Sequence, residues 1–409
     1  MVHNKLNVIL LCRSASYQGM GGPVWSIRAL LKEQGNHLKK DELSLSAVLY
    51  DGFFNNAGEL AELRMETPSS RFLPGSVNYV SRAVLSLPRF THNLNTAIKA
   101  HKRNIILHSH DFVSAYLSRW RFGSRFPLIL TIHAKGGGRR EVLLAYPILK
   151  RTPVSWLTKH IENTAVSQAD MIVFPSSGAR ELFTSEHPGL LDNKEVRVVH
   201  AGIEIDTLLE GSENPAIKRK YGISEEKKLL ISVAAMLLDK GLDTLVEAIG
   251  MLPGPIKSQC CCIIVGREGP LKEKLEYLIK KYNLQNIVNI VGFLPRQDLI
   301  QLIRHADLFA LPSRVAIFDV VLLEAAALGT AVVTSAVGGN LEIFDSESAF
   351  FVPPDNPQQL TDKLAGIILD DEARRDMGAR AQKRIKRQFS IETLYNAYVE
   401  IYKELTENK

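Results

Sequence analysis

Short, continuous apolar runs alternate with amphipathic helical stretches along the whole of this 409-residue chain, and that alternation restricts it to an α/β architecture. The strand candidates of the first half are NVILL, LSLSAVLY, NIILHSH, LILTIH, MIVFPS and VRVVH. Those of the second half are LLISVAAM, CCCIIVG, IVNIVGF, LFALPS, AVVTSAV and AFFVPP. These runs are apolar throughout rather than at every second position. They therefore predict parallel strands buried on both faces, with the helices between them as cover. PVWSIRALLKEQG, GLDTLVEAIGML, GPLKEKLEYLIKKYN and RQDLIQLIRHA supply such helices.

The rhythm lapses over IDTLLEGSEN, residues 205–214, and the domain linker is placed there. The predicted division is 1–204, 205–388 and a closing helix over 389–409 that packs back toward the first domain. Each half is then roughly 200 residues, an ordinary size for a doubly wound domain. Tyr395, Tyr398 and Tyr402 fall on one face of the closing helix and read as a packing stripe. Two Rossmann-like domains joined by a hinge are expected to face each other across a cleft, with ligands at the carboxyl ends of the strands.

Composition supports a globular chain, at 45% hydrophobic and 23% charged residues. The opening run LNVILL is too short for a signal core or a membrane span, and VVLLEAAALGTAVV is interrupted by Glu324 and Gly329. A cytoplasmic protein with no transmembrane helix is expected. Cys260, Cys261 and Cys262 are consecutive on a predicted strand and Cys12 stands alone, so they read as reduced core thiols rather than a metal knuckle. Charge is uneven. Residues 1–205 carry 25 Lys and Arg against 16 Asp and Glu, and the remainder carries 25 against 28. A basic first half predicts an anionic partner there, and charge alone leaves nucleic acid, a membrane face and a phosphorylated substrate open.

Three loops carry chemistry. Gly19, Gly21 and Gly22 follow the first strand and open a helix, which lets backbone N–H groups approach an anion, although the spacing is not the dinucleotide fingerprint. His133 ends a strand and precedes Lys135, the glycine triplet 136–138, Arg139 and Arg140, a sequence that reads as a mobile cationic loop able to close over phosphates. Lys240 starts a helix after a strand, where an ammonium can neutralise a diphosphate leaving group. Glu324 lies on a helix that follows the loop PSRVAIFD, placed to accept hydrogen bonds from ribose hydroxyls. His108 and His110 share a strand face without a third ligand, so no metal site is expected. No P-loop, nucleophile elbow or Asp-x-Asp clamp is present, and Asp370-Asp371 reads as solvated surface.

Read in order, these segments resemble the family 4 (group 1) glycosyltransferases of the GT-B fold from end to end. GGPVWSIRALLKEQGNH is similar to their first glycine loop and helix, HSHD and TIHAKGG to their two histidine-bearing strand ends, and VVHAGIEID to the start of their second domain. DKGLDTLVEAI, IVGREGPLKEKLE, VGFLPRQDLIQLIRHADLFALPSR, LLEAAALGTAVVTSAVGGNLEIF and FFVPPDNPQQL are similar to successive blocks of their donor domain. The resemblance implies transfer of a sugar from a nucleoside diphosphate, a UDP-sugar first, with retained configuration, no bound metal and no other cofactor. It places Gly21 and Gly22 at the donor phosphates, Gly266 in the donor site, His133 at the reacting sugar, Lys240 on the diphosphate, Phe293 and Leu294 beside the base, and Glu324 on the ribose.

The departures fall at the same chemistry. The family's first glutamate, eight positions before Glu324, is Ala316; the glycines flanking Phe318 are Ile317 and Asp319; and the arginine before the lysine is Ala235. Loss of one charged contact to a developing negative charge costs about 3–4 kcal/mol. Asp319 or Arg314 is the candidate replacement in an active enzyme. The alternatives are a weak or inactive paralogue serving as partner subunit, and another activity on the same scaffold such as a sugar-nucleotide epimerase. The acceptor is expected to be a glycan or lipid-linked saccharide in cell-surface polysaccharide or glycolipid synthesis. RWRFGSRF, with Arg119, Trp120, Arg121, Phe122, Arg125 and Phe126, suits a peripheral contact with the anionic inner membrane face, and nucleic acid is disfavoured because no binding module is visible.

Overall fold

A computed structural model describes residues 5–12, 23–36, 43–49, 52–54, 75–101, 103–145, 147–210 and 214–407. The chain divides into two units, Met1–Gly202 with Ile391–Lys409, and Ile203–Ser390.

Unit 1 holds strands β1 (Leu6–Leu11), β2 (Leu43–Leu49), β3 (Gly52–Phe54), β4 (Ile105–Ser109), β5 (Leu128–Thr131), β6 (Met171–Phe174) and β7 (Glu195–Val198), in the order β3-β2-β1-β4-β5-β6-β7. All pairs are parallel except β2 with β3, a short antiparallel edge pairing that the sequence pattern did not reveal. Its helices are α1 (Pro23–Asn36), α2 (Gly75–His101), α3 (Phe112–Phe122), α4 (Gly138–Ala145), α5 (Pro153–Gln168) and α6 (Ser177–Glu186). Every residue of β1 is buried, as two-sided cover requires, whereas the edge strand β7 reads Glu-Val-Arg-Val and keeps partial exposure.

Unit 2 holds β8 (Lys228–Val233), β9 (Cys260–Val265), β10 (Val288–Gly292), β11 (Leu308–Leu311), β12 (Val332–Ser335) and β13 (Phe350–Val352), all parallel, in the order β10-β9-β8-β11-β12-β13. Helices α7 (Leu242–Met251), α8 (Lys272–Lys281), α9 (Arg296–Arg304), α10 (Val320–Ala327), α11 (Pro357–Ile367) and α12 (Asp371–Gln388) lie between or after its strands. The last helix, α13 (Ile391–Glu407), belongs to unit 1 and packs on α1.

The unit boundaries fall at 202/203 and 390/391, against the expected 204/205 and 388/389, and residues 205–210 are not a free linker. Ile205–Leu209 is a short helix of unit 2 with Leu208 buried, and Ile203 forms a parallel bridge with Ser390, so the two chain crossings lie side by side. Leu394, Tyr395, Tyr398 and Tyr402 of α13 join the unit 1 core with Val8, Leu45 and Ile106. Unit 2 centres on Leu230, Leu245, Ile264, Leu308 and Val333, and the cysteines of β9 are free thiols, with burial raising the Cys260 pKa to about 11.

In each sheet the first strand lies between its immediate successor and a later strand, β1 between β2 and β4, and β8 between β9 and β11. The chain therefore reverses direction across the sheet at β1/β4 and at β8/β11. Loops leaving the carboxyl ends of those strands diverge and leave room for a ligand.

Candidate functional site

In unit 2 the loop after β8 carries Lys240 and the loop after β11 carries Asp319, so the switch point brings them together. Lys240 ends a 3-10 turn, Leu238–Lys240, and Gly241 follows with φ 64°. A Cβ on Gly241 would lie 2.0 Å from the Pro312 carbonyl oxygen, so only glycine lets the two loops touch. Across that contact the Lys240 ammonium meets Asp319 Oδ1 in an ion pair with only 17% and 6% of the two side chains exposed. The other carboxylate oxygen, Oδ2, accepts from Ser313 Oγ at 2.8 Å and Asn340 Nδ2 at 3.2 Å, and Asn340 is itself anchored on Thr334.

Burial opposes both charges. It lowers the Lys240 pKa, but the Asp319 carboxylate, helped by Asp239, outweighs it and the ammonium ends above its ordinary value. Burial raises the Asp319 pKa, but the Lys240 charge with Ser313 and Asn340 outweighs it and the carboxyl ends below its ordinary value. Asp319 stands at the N-cap of α10 yet makes no side-chain cap bond, because its carboxylate is turned to Lys240. An ammonium beside the N-terminus of a helix is an arrangement that attracts a phosphate.

Glu324 occupies the second turn of α10. Arg296, opening α9, donates from Nη2 to Glu324 Oε1 at 2.7 Å. The second oxygen, Oε2, is buried and has no hydrogen-bond partner among the described residues, which leaves one strong acceptor for an outside hydroxyl. Phe293, at 71% exposed, and buried Leu294 precede Arg296 in the same loop.

The other expected donor-site residues have local roles. Gly266 backs onto β8: a Cβ there would lie 1.9 Å from the Ala234 carbonyl oxygen, so backbone packing by itself demands glycine. Ala316 and Phe318 are buried; the Ala316 carbonyl accepts from Gly339 N at 3.3 Å and Phe318 packs on Phe389 with ring centres 5.8 Å apart. Arg314 does not replace the absent arginine. It is bound to Asp243 at 2.7 and 3.0 Å, to Thr244 at 3.1 Å, and to Leu238 O and Asp355. Gly21 and Gly22 lie outside the described residues.

In unit 1 the carboxyl ends of β4 and β5 gather three histidines. His133 Nε2 and His110 Nδ1 share a hydrogen bond at 3.0 Å with stacked rings, and His108 packs on His110 with ring centres 4.3 Å apart. Beneath them His108 bonds Tyr402 Oη and Thr131 Oγ1, both at 2.7 Å, and Thr131 bonds Tyr398 Oη at 3.1 Å. The tyrosine stripe of α13 therefore supports the histidines as well as the core. Burial holds all three imidazoles neutral: His108 falls to about 3, aided by His133; His133 falls to about 4; and His110 lies well below its ordinary value. Among the described residues no group of three His, Cys, Asp or Glu side chains could hold a metal ion.

The glycine triplet after His133 is a seated turn rather than an open flap. Gly137 has φ 118°, and a Cβ there would lie 2.2 Å from Glu162 Oε1. Buried Glu162 accepts the Arg139 backbone N–H at 2.7 Å and pairs with His187 at 2.9 Å. Burial lowers the His187 pKa, but the hydrogen bond and charge of Glu162 outweigh it and raise the value. Arg139 turns to Ser155 and Arg140 to Glu186, while Lys135 is half-buried. Arg119 is structural as well: it is buried, pairs with Asp170 at 2.6 Å and donates to the carbonyls of Gln168, Gly123 and Phe126. Trp120 is 71% exposed. Arg121 lines a groove of about 520 Å³ with Lys99, Arg125, Phe122 and Phe126. This groove lies where α2 and α3 end and β4 begins, at the sheet edge opposite the histidines, so these residues are not beside His133.

The two parallel Rossmann-like sheets and their strand orders define the GT-B class of glycosyltransferases. Models of two sequence families match the chain in succession: Glycosyltransferase Family 4 over residues 55–207 and Glycosyl transferases group 1 over residues 213–384. The protein is a member of the group 1, family 4 glycosyltransferases. N-acetyl-alpha-D-glucosaminyl L-malate synthase of Bacillus anthracis is 26% identical over 309 residues, covering 74% of this chain and 76% of that one. Sucrose-phosphate synthase from Thermosynechococcus elongatus has a structure similar to this one at TM-score 0.74 and 18% identity, covering 99% and 100% of the two chains. The Anabaena protein HepE in complex with UDP superimposes at TM-score 0.68 and 17% identity, covering 98% and 100%. No described helix is long and apolar enough to cross a membrane.

Proposed function

We propose that this glycosyltransferase takes its sugar from a nucleoside diphosphate, a UDP-sugar first, and transfers it with retained configuration. The observation that carries this reading is helix α10, which has the Lys240 ammonium at its N-terminus and the half-satisfied Glu324 carboxylate in its second turn. A diphosphate on the ammonium and the helix N-terminus puts the ribose within the reach of the free Glu324 oxygen, and Phe293 offers an exposed aromatic face for a base. In the transfer, the bond from the anomeric carbon to the β-phosphate oxygen breaks and its electron pair leaves with the diphosphate. The acceptor hydroxyl forms the new bond and its proton passes to the departing oxygen. Lys240 and the helix N-terminus stabilise the charge that builds on the leaving group, so no bound metal is required. His133, held neutral, offers a hydrogen bond to the sugar rather than a charge.

The test is nucleoside diphosphate release from a panel of UDP- and GDP-sugars, with the anomeric configuration of the product read by NMR. UDP release that is unchanged by a chelator supports the reading. Absence of release from every donor and acceptor, in a folded protein, overturns it.

The acceptor we propose is a glycan or lipid-linked saccharide reached at an anionic membrane face. The basic first half and the cationic, aromatic groove of Lys99, Arg121 and Arg125 support this, with exposed Trp120 on the same helix as Arg121. Sedimentation with anionic but not neutral liposomes is the expected result, and Arg121→Glu with Arg125→Glu abolishes it.

A further inference from the structure

Asp319 stands in the one place where a carboxylate works against a leaving diphosphate. Its Oδ1 is on the Lys240 ammonium, and its Oδ2 is pinned by Ser313 and Asn340. The carboxylate is buried, so it cannot turn to solvent without giving up three contacts at once. An ammonium has three hydrogens and can serve a second anion, but the local charge of the pair is zero rather than positive. Arg314 does not restore the charge, because Asp243 and Asp355 already hold it. Arg296, near the ribose end, is paired to Glu324.

The reaction changes the charge that faces this pair. A nucleoside diphosphate sugar carries two negative charges on its diphosphate; the released nucleoside diphosphate carries up to one more, on its terminal phosphate. A fixed carboxylate at the ammonium repels the more highly charged species more strongly. The repulsion is little screened on the protein side because the carboxylate is buried.

We propose that Asp319 is a specificity-determining residue of the donor site: by competing for Lys240 it weakens the nucleoside diphosphate product more than the sugar nucleotide, and so favours product release. This rests on the reading that Lys240 meets the diphosphate. Its cost falls on the chemical step, in which the same carboxylate opposes the charge growing on the leaving group. Asp319 thus exchanges some rate of bond breaking for freedom from product inhibition. It also gives a physical role to an aspartate that replaces a small residue of the family pattern.

The experiment is calorimetric titration of the wild-type chain, Asp319→Asn and Lys240→Met with UDP and with UDP-glucose, repeated with GDP and GDP-mannose. Thermal melting of each variant checks the fold. Asp319→Ser, also uncharged, is carried in parallel in case the amide is not tolerated. Asp319→Asn is expected to bind the diphosphate on the order of tenfold tighter, as a released charge-assisted contact implies, and the sugar nucleotide by a smaller factor. Inhibition of turnover by added product should strengthen by the same ratio, while the single-turnover rate rises. If Lys240→Met weakens binding but neither Asp319 variant tightens the diphosphate relative to the sugar nucleotide, the donor-site reading stands and this inference falls. If Lys240→Met leaves every affinity unchanged, the donor-site reading falls and takes the inference with it.

Discussion

The carboxyl edges of the two sheets bury polar groups by opposite means. In unit 2 they are full charges held in contact, Lys240 with Asp319, and Glu324 with Arg296, whose own side chain is exposed. In unit 1 they are neutral rings and hydroxyls, His133 on His110, with His108 on Tyr402 and Thr131. A buried charge is tolerated only with a counter-charge and further hydrogen bonds, whereas a neutral imidazole needs hydrogen bonds alone. The chemistry asked of the two edges follows. An edge of paired charges can respond to charge on a leaving group, and an edge of neutral donors and acceptors can position an uncharged hydroxyl without adding charge to the sugar.

The largest expected effect tests the charged edge. Lys240→Met should lower kcat/KM for diphosphate release by about 10²–10³. It should also lower the melting temperature, since removing one partner of a buried pair costs about 3–5 kcal/mol. If His133→Ala reduces turnover as much as Lys240→Met does, the contrast between the edges is wrong.

Acid should separate the units next. The three histidines have folded pKa values below their unfolded one near 6.5, so the unfolded chain binds protons first. Their contribution is complete above about pH 6.5 and declines as the pH falls toward about 4, by up to about 1.4 kcal/mol per pH unit for each group. Asp319, with its pKa depressed, keeps its contribution until the pH falls below about 3.9. His187, with its pKa raised, works the other way: its contribution is present below about 6.5 and is lost as pH rises through its folded value. Hydrogen exchange at pH 7 and pH 4.5 should therefore show protection lost in the amides of β4 and β5 and retained in those of β8 and β11. Equal loss in both units would break the comparison.

Two smaller effects sharpen it. Arg296→Ala should raise the donor KM by roughly tenfold or less with kcat preserved, and Arg296→Lys should recover part of it, because Arg296 orients Glu324 rather than the reacting atoms. Tyr402→Phe leaves His108 Nδ1 without its partner and should cost about 1 kcal/mol in urea unfolding, with donor affinity unchanged.

Much of this was legible along the chain. Runs such as NVILL and LLISVAAM needed no tertiary information to be read as buried parallel strands, because two-sided burial leaves a continuous apolar signature. Lys240 and Glu324 were legible as candidates because each belongs to a short motif with a local position, a helix start and a helix turn. The ion pairs were not. Lys240 and Asp319 are 79 residues apart, Arg296 and Glu324 are 28 apart, and Tyr402 and His108 are 294 apart; no periodicity connects them. The loop 136–140 was misread for the same reason. Glycines and arginines in series read as a mobile cationic flap, and only the fold brings Glu162, Ser155 and Glu186 to them.

The sequence by itself determined the two α/β units and the parallel character of most of their strands, since hydrophobic burial is a property of local pattern. Only the tertiary structure decided which charges meet. A buried ion pair depends on distance and desolvation between strand ends that the chain brings together from far apart, and on that depends whether Lys240 faces a ligand with its full charge or shares it with Asp319.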